Sequence, residues 1–316
     1  MTVAVLAIDV GGTKTASAIV AEDGSVLWSD TCATNVDGDS SGGERLTDVV
    51  TTALNDSGMT VAAIGLAIAA VLSPEDDSVV WSPNIPSWDG LDIRSTLRSI
   101  LPVPITIEYD GHAAAIGEGW VGAGVGTRDF VVVAVGTGIG CGIVANGEVV
   151  RGVSRLAGAA GWMVLDPDGS SWEALSTSGG IGRLLDVALA DHPDSLLATM
   201  EEPDAVAIFD AAAAGDDAAS ETVNRLARIL GVGVANLVSI LNPRRIILTG
   251  GIGSRGPELL PGITAAIADY AQPVAGGDIE VLTSPLGGSS VLLGAAKAAL
   301  CAMEDDQMVD EKGTEL

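Results

Sequence analysis

The sequence predicts an α/β protein built from two similar lobes, and three observations carry that expectation. A three-strand meander occurs twice: residues 3–29 read VAVLAIDV, GGTK, TASAIVA, EDG, SVLWS, and residues 130–152 read FVVVAV, GTGIG, CGIVA, NG, EVVRG. Each is a β-branched run, a Gly/Thr turn, a second run, a short Gly turn and a third strand, and the two start about 127 residues apart. After each meander, helical and strand patterns alternate, which is the mark of the α/β class. Finally, 47% of the 316 residues are apolar but only 3% aromatic, so a large core must be packed from Ala, Val, Leu and Ile.

The elements follow in order. Residues 44–57 carry helical periodicity, and VAAIGLAI at 61–68 reads as a buried strand. A loop rich in Pro and Trp spans 72–90, then come a helix at 91–100, a short strand at 104–108 and a helix at 111–123. In the second half, 176–190 and 204–214 read as helices, and 218–241 as a long amphipathic helix ending before Asn242-Pro243. RRIILTG at 244–250 is a strand running into the turn GGIGSRG; helices follow at 257–270 and 287–303, with a strand at 278–282 between them. The Gly-rich GAGVGTRD, near 123–129, marks the boundary between lobes.

Charge narrows the function. There are 42 Asp plus Glu against 15 Lys plus Arg, a formal net charge of −27, and the lysines are Lys14, Lys297 and Lys312 alone. Such a surface repels nucleic-acid backbones and anionic membranes. The acid is scattered, apart from a short end holding Glu304, Asp305, Asp306, Asp310 and Glu311. Scattered acid with scarce lysine points to adaptation to molar salt, where screening removes self-repulsion; the plainer alternative is an ordinary acidic cytosolic protein. Cys32, Cys141 and Cys301 are isolated, which argues against a disulfide framework or a structural zinc site. The N-terminus lacks the pattern of a signal peptide, and no 18 apolar residues run uninterrupted, so a soluble cytoplasmic protein is expected.

Four constellations carry chemistry. Asp9-Val10-Gly11-Gly12-Thr13-Lys14 puts a carboxylate at a strand end before a glycine turn, whose backbone can approach an oxyanion while Thr13 and Lys14 donate to phosphate oxygens. Asp9 suits hydrated Mg²⁺, which takes a carboxylate together with phosphate oxygens. Gly136-Thr137-Gly138 holds the same place in the second meander, and two such turns suit a polyphosphate. Gly250-Gly251 follows the strand RRIILT and fits an adenosine contact; although 251–256 formally match G-x-G-x-x-G, no acidic residue ends a following strand at the required distance. No G-x-x-x-x-G-K-[ST] motif occurs. Lastly, Glu108-Tyr109-Asp110-Gly111-His112 lies between a strand and a helix, where Asp110 is either a general base for phosphoryl transfer or a helix N-cap.

Taken together these segments resemble the ROK branch of sugar kinases, within the actin/hexokinase-like ATPase superfamily. The likeness covers nearly the whole chain: IDVGGTKT (8–15), PNIPSWDG (83–90), IEYDGHAAAIGEGWVGAG (107–124), VAVGTGIGCGIVANGEVVRG (133–152), LAGAAGWMVLDPDG (156–169), EALSTSGGIGR (173–183), ANLVSILNPRRIILTGGIG (235–253) and SPLGGSSVLLGAA (284–296). It implies two RNase H-like lobes with an interlobe cleft, 1–123 and 124–286, the first completed by the helix at 287–303. It also implies ATP-dependent phosphorylation of a sugar hydroxyl, with Asp110 as the base, and places Asn84 and Glu108 near the sugar. The resemblance admits a homodimer, for which the sequence carries no interface signature.

The departures bear on the acceptor. Family members carry Glu-Asn-Asp-Ala-Asn at the base motif, whereas here Tyr109 and His112 replace both Asn residues. The family's Gly-Glu-x-Gly-His, whose Glu and His hold sugar hydroxyls, reads Gly158-Ala159-Ala160-Gly161-Trp162. Its Gly-Pro pair reads Ala69-Ala70, and its cysteine zinc motif reads Asp168-Gly169-Ser170-Ser171-Trp172, so no zinc site is expected. Glucose specificity is therefore not carried over; a hexose or N-acetylhexosamine follows from the family alone. Trp162 either stacks on an apolar sugar face or fills the space of the missing zinc, and His112 is either a hydroxyl ligand or a first-turn helix residue. Trp81 and Trp120 read as core filling. Two other functions compete with a kinase. A DNA-binding regulator of this family would carry a further N-terminal domain before the first strand and is opposed by the charge. A non-catalytic sugar-binding or filament protein is opposed by the presence of both Asp9 and Asp110.

Overall fold

The computed structural model describes residues 3–34 and 41–313, the segment 304–313 by backbone alone, so the side chains of the acidic end and Lys312 fall outside it. The chain forms two compact units. One comprises Met1–Val125, Val149–Ala157 and Ser289–Leu316, the other Gly126–Glu148 and Gly158–Gly288.

The first unit begins with the expected meander, β1 (Ala4–Val10), β2 (Lys14–Ala21) and β3 (Val26–Ala33). Helix α1 (Gly42–Ser57) opens on a capping box between Ser41 and Glu44 and stops at Gly58, which takes the left-handed conformation that ends helices. Then come β4 (Ile64–Ile68), β5 (Val71–Leu72), β6 (Val79–Trp81), α2 (Ile93–Ile100), β7 (Ile105–Tyr109) and α3 (Asp110–Val121). The sheet runs β3-β2-β1-β4-β7, with β1, β4 and β7 parallel. β4 is buried along its whole length, as a central parallel strand covered on both faces must be. Leu6, Ile8, Leu46, Leu66, Ile68 and Trp88 form the heart of this core.

The second unit repeats the plan with β8 (Phe130–Val135), β9 (Ile139–Ala145) and β10 (Glu148–Val149). It continues through α4 (Trp172–Ser176), α5 (Ser178–Asp191), α6 (Ala205–Ala213), α7 (Asp217–Leu241), β11 (Arg245–Thr249), α8 (Gly250–Gly253), α9 (Gly256–Tyr270), α10 (Pro273–Gly277) and β12 (Glu280–Thr283). Its sheet order, β10-β9-β8-β11-β12, matches that of the first unit position for position. Helix α7 is long and apolar enough to cross a membrane by length and composition. It serves as the core helix of this unit, burying Leu226, Leu230, Val234 and Val238 and packing on α5, α6 and α9. Asn242 in the left-handed conformation ends it before Pro243.

Helix α11 (Ser290–Gly313) returns to the first unit, packing on α3, β1 and β4. There the buried Glu118 accepts hydrogen bonds from Ser290 Oγ (2.6 Å) and the Ala123 N–H (2.8 Å).

Several expectations are corrected. Residues 72–90 are not a plain loop: β5 pairs with β6, and a 3₁₀ turn spans Pro86–Trp88. GGIGSRG is not an open turn, because Gly250–Gly253 close a helical turn directly after β11. Residues 149–157, expected in the second lobe, pack with the first unit, where Arg151 and Arg155 find carboxylate partners. Trp81 is 45% exposed rather than core, while Trp120 is half-buried beneath the ammonium of Lys297.

Candidate active site

In an open sheet with parallel strands, ligands bind beyond the carboxyl ends of those strands. The register of the first unit brings the predicted residues to that edge. Asp9 pairs with Ala67 across β1 and β4, and Ala67 pairs with Glu108 across β4 and β7, so the ends of β1 and β7 flank β4. Asp9 and Asp110 therefore stand on the same edge, separated by one strand.

The Asp9 carboxyl is pushed up to about 7 by burial, then by the charge of Asp110, with Lys14 pulling the other way. Asp110 is the first residue of α3. The N-cap is Tyr109, which makes no side-chain cap bond, so the capping alternative for Asp110 does not describe it. Its Oδ1 instead accepts the N–H of Gly111 at 2.7 Å.

The turn between β1 and β2 is braced from below. The Gly11 N–H donates to Lys14 O (3.1 Å), so that amide is committed to closing the turn and does not join an anion nest. The buried Thr34 donates its hydroxyl to Gly11 O (2.7 Å) and its N–H to Thr13 O (3.0 Å). Thr13 and Lys14 are left exposed at the apex. Asn84 lies against this turn so closely that a Cβ on Gly12 would sit 2.8 Å from Asn84 Cβ, so glycine is what admits the asparagine there.

Glu108 and His112 are tied to residues 149–157. Arg151 grips Glu108 with two hydrogen bonds, Nη2 at 2.7 Å and Nε at 3.3 Å. His112 is fully buried, its Nε2 lies 2.9 Å from Ala157 O, and a carbonyl only accepts, so Nε2 carries the proton. Burial holds the imidazole below its ordinary value, opposed by the Ala157 bond and the Glu108 charge. His112 Nδ1 has no hydrogen-bond partner and lies 3.8 Å from Glu108 Oε2. Of the two readings of His112, the structure bears the first-turn helix residue: no surface of the side chain is open to a sugar hydroxyl.

In the second unit, Gly136–Gly138 joins β8 to β9, and Gly250 follows β11, the neighbour of β8. Both lie at the carboxyl ends of parallel strands, the edge equivalent to that of Asp9. Gly136 N–H donates to Gly138 O (3.0 Å), and the Ser178 N–H and hydroxyl both donate to Gly136 O (3.2 and 3.1 Å). Thr137 is exposed at the apex, as Thr13 is in the first unit. Gly250 has φ +85, and a Cβ there would come within 2.5 Å of Val135 O. Gly251, beside it, meets nothing within 4 Å.

One residue of this edge was passed over in the sequence: Glu173, whose Oε2 accepts the Ile139 N–H at 2.8 Å and pins the turn where β9 begins. Its only local signal is its place in the first turn of α4, after the cap residue Ser171. Trp162 is 67% exposed on a 3₁₀ turn, so it does not fill a vacated zinc site; nearby in the sequence it is Trp172 that is fully buried, packed against α7 at Gly233.

Known proteins share the sequence and fold of this chain. A profile of the ROK family matches residues 5–301. The chain is 29% identical to a glucokinase of Halalkalibacterium halodurans, covering 98% of this chain and 97% of that protein. It is 30% identical to a glucokinase of Thermotoga maritima, covering 92% and 95%. The crystal structure of a ROK family glucokinase from Streptomyces griseus, in complex with glucose and AMPPNP, is 28% identical and superposes with a TM-score of 0.81 over 94% of this chain and 99% of that one.

Proposed function

The chain belongs to the ROK family, and on that premise we propose that it is an ATP-dependent kinase that phosphorylates a hydroxyl of a sugar, a hexose or N-acetylhexosamine, in the cytoplasm of a salt-adapted cell. The observation that carries the chemistry is the pair Asp9 and Asp110 on one sheet edge, beside a phosphate-type turn with an exposed lysine.

Asp110 is the general base. As the acceptor oxygen attacks the γ-phosphorus, its proton passes to the Asp110 carboxylate, the new O–P bond forms, and the bond to the bridging oxygen breaks to release ADP. Lys14 and the Gly12–Thr13 amides face the phosphate charge in the first unit. Gly136, Thr137 and Gly138 supply the corresponding turn in the second, and Gly250 and Gly251 the adenosine contact.

Mg²⁺ fits the residues present. A buried carboxyl raised in part by the charge of a neighbouring carboxylate is a natural place for a cation, and Mg²⁺ needs only one or two carboxylates besides phosphate oxygens. Asp9 would hold it through water, where it would neutralise charge on the phosphates.

On the acceptor side, Asn84 stands against the phosphate turn and Glu108 is fixed by Arg151. The exposed Trp162 offers an aromatic face suited to the apolar side of a sugar ring. With Ala159 and Trp162 at the positions where family members hold sugar hydroxyls, glucose specificity does not carry over to this chain. The test is ADP release against a panel of aldoses, ketoses and amino sugars in molar KCl; no sugar-stimulated release would defeat the kinase reading. Asp110→Asn should abolish turnover with little loss of ATP binding, and a fully active variant would refute the base.

A further inference from the structure

Asp77 and Arg155 take no part in the chemistry above, yet the structure spends backbone strain on both. Each is a non-glycine residue in the left-handed region, Asp77 at φ +58 and Arg155 at φ +54, and they are bonded to each other across 78 positions, Arg155 Nη1 to Asp77 Oδ1 at 3.2 Å. Asp77 is buried in the β5–β6 connection and takes a second guanidinium on its other oxygen, Arg94 Nε at 2.6 Å. Glycine would adopt either conformation without strain. A strained pair that persists is a pointer to function, provided something connects it to the chemistry.

That connection is the segment 149–157. Arg155 anchors one part of it to Asp77. From the same segment Arg151 grips Glu108, and the Ala157 carbonyl takes the His112 Nε2–H; the Ala157 N–H bonds Arg151 O at 3.0 Å, joining the two contacts. Glu108 and His112 stand two residues before and two after Asp110. The segment therefore holds the end of β7 and the first turn of α3 from both sides of the base.

We propose that Asp77 and Arg155 form a latch that positions Asp110: by fixing residues 149–157, the pair sets the start of α3 and hence the placement of the carboxylate that takes the acceptor's proton. Arg155 is a positioning residue, two contacts away from the reacting atoms. This inference rests on the kinase reading of the same site.

The experiment compares the full-length wild-type protein with Arg155→Gly, Asp77→Gly and Arg155→Lys, by steady-state kinetics, thermal melting and amide hydrogen exchange without substrate. Misplacing a base by a fraction of an ångström to an ångström is expected to lower kcat about tenfold to a hundredfold while the KM for ATP is unchanged. Arg155→Gly relieves a left-handed backbone at an exposed end of the pair and should show this loss with a Tm near that of wild type, whereas Asp77→Gly also strips the buried side of its carboxylate and should show the loss with a lower Tm. Arg155→Lys should recover part of kcat by restoring the charge. Exchange at the 151–157 amides should quicken in both glycine variants while the β4 amides stay protected.

A fall in Tm with kcat unchanged would make the pair merely structural and overturn the proposal. Unchanged exchange at 151–157 would overturn it whatever the kinetics. Wild-type protein without sugar-dependent turnover would defeat the kinase reading and, with it, the positioning role. In that case faster exchange in the variants would still show that the ion pair holds the segment.

Discussion

Asp9 and Asp110 stand on the ends of two parallel strands with β4 between them, and the charge of Asp110 adds to burial in raising the Asp9 carboxyl to about 7. A carboxyl with a higher pKa folded than unfolded binds more protons in the folded state. Its contribution to stability is therefore fully present below the ordinary value of 3.8 and is lost as the pH rises towards 7. Asp9→Asn has no such loss. The Tm of Asp9→Asn minus that of wild type, measured without metal or nucleotide, should grow between pH 5 and pH 8; a constant difference would show that Asp9 is not desolvated.

Gly250 and Gly251 separate two kinds of glycine. Gly250→Ala places a Cβ against the Val135 carbonyl in a left-handed backbone, at an expected cost of about 1–2 kcal/mol or more, with a raised KM for ATP. Gly251→Ala enters open space, and its stability should stay within about 0.5 kcal/mol of wild type. Chemical denaturation of the two variants decides the matter; equal losses would contradict the backbone described for α8.

The tryptophans at 162 and 172 should respond in opposite ways. Trp172 is fully buried against α7, so Trp172→Ala is expected to lose about 3–5 kcal/mol. Trp162 is mostly exposed, so Trp162→Ala should melt like wild type and raise the KM for sugar. An unchanged sugar KM would remove Trp162 from the acceptor site.

Salt should assist nucleotide binding. A chain with net charge −27 repels an anionic nucleotide, and the screening length shrinks from about 10 Å at 0.1 M salt to about 3 Å at 1 M. The KM for ATP is expected to fall as KCl rises from low to molar concentration. A flat or opposite response would argue for an ordinary acidic kinase.

Much of the site was legible because its signals are local. Asp9 with Gly11–Lys14, and Gly136–Gly138, sit in turns between β-branched runs, and such turns are written in consecutive residues. Asp110 was legible as a residue, but whether it caps the helix was not, since a carboxylate at a strand-to-helix junction suits that place until Tyr109 is seen at the N-cap. What stayed hidden is long-range. The Arg155–Asp77 and Arg151–Glu108 pairs span 78 and 43 positions, and the Glu173 contact with Ile139 spans 34; no pattern of neighbouring residues announces them. The β5–β6 hairpin escaped because strands of two and three residues are too short for alternation to show. Tryptophan burial was misread at 81 because an amphipathic ring suits core and surface alike.

The return of α11 to the first unit governs the order in which the molecule can assemble on the ribosome. The first unit lacks the helix that covers α3, β1 and β4 until residues from Ser289 onward have been made, whereas the second unit has its last residue, Gly288, by then. At about 5–20 residues per second, translation of residues 126–288 takes roughly ten to thirty seconds. Through that interval the N-terminal portion waits with an apolar face uncovered, so the half of the protein that is synthesised first is the half that matures last.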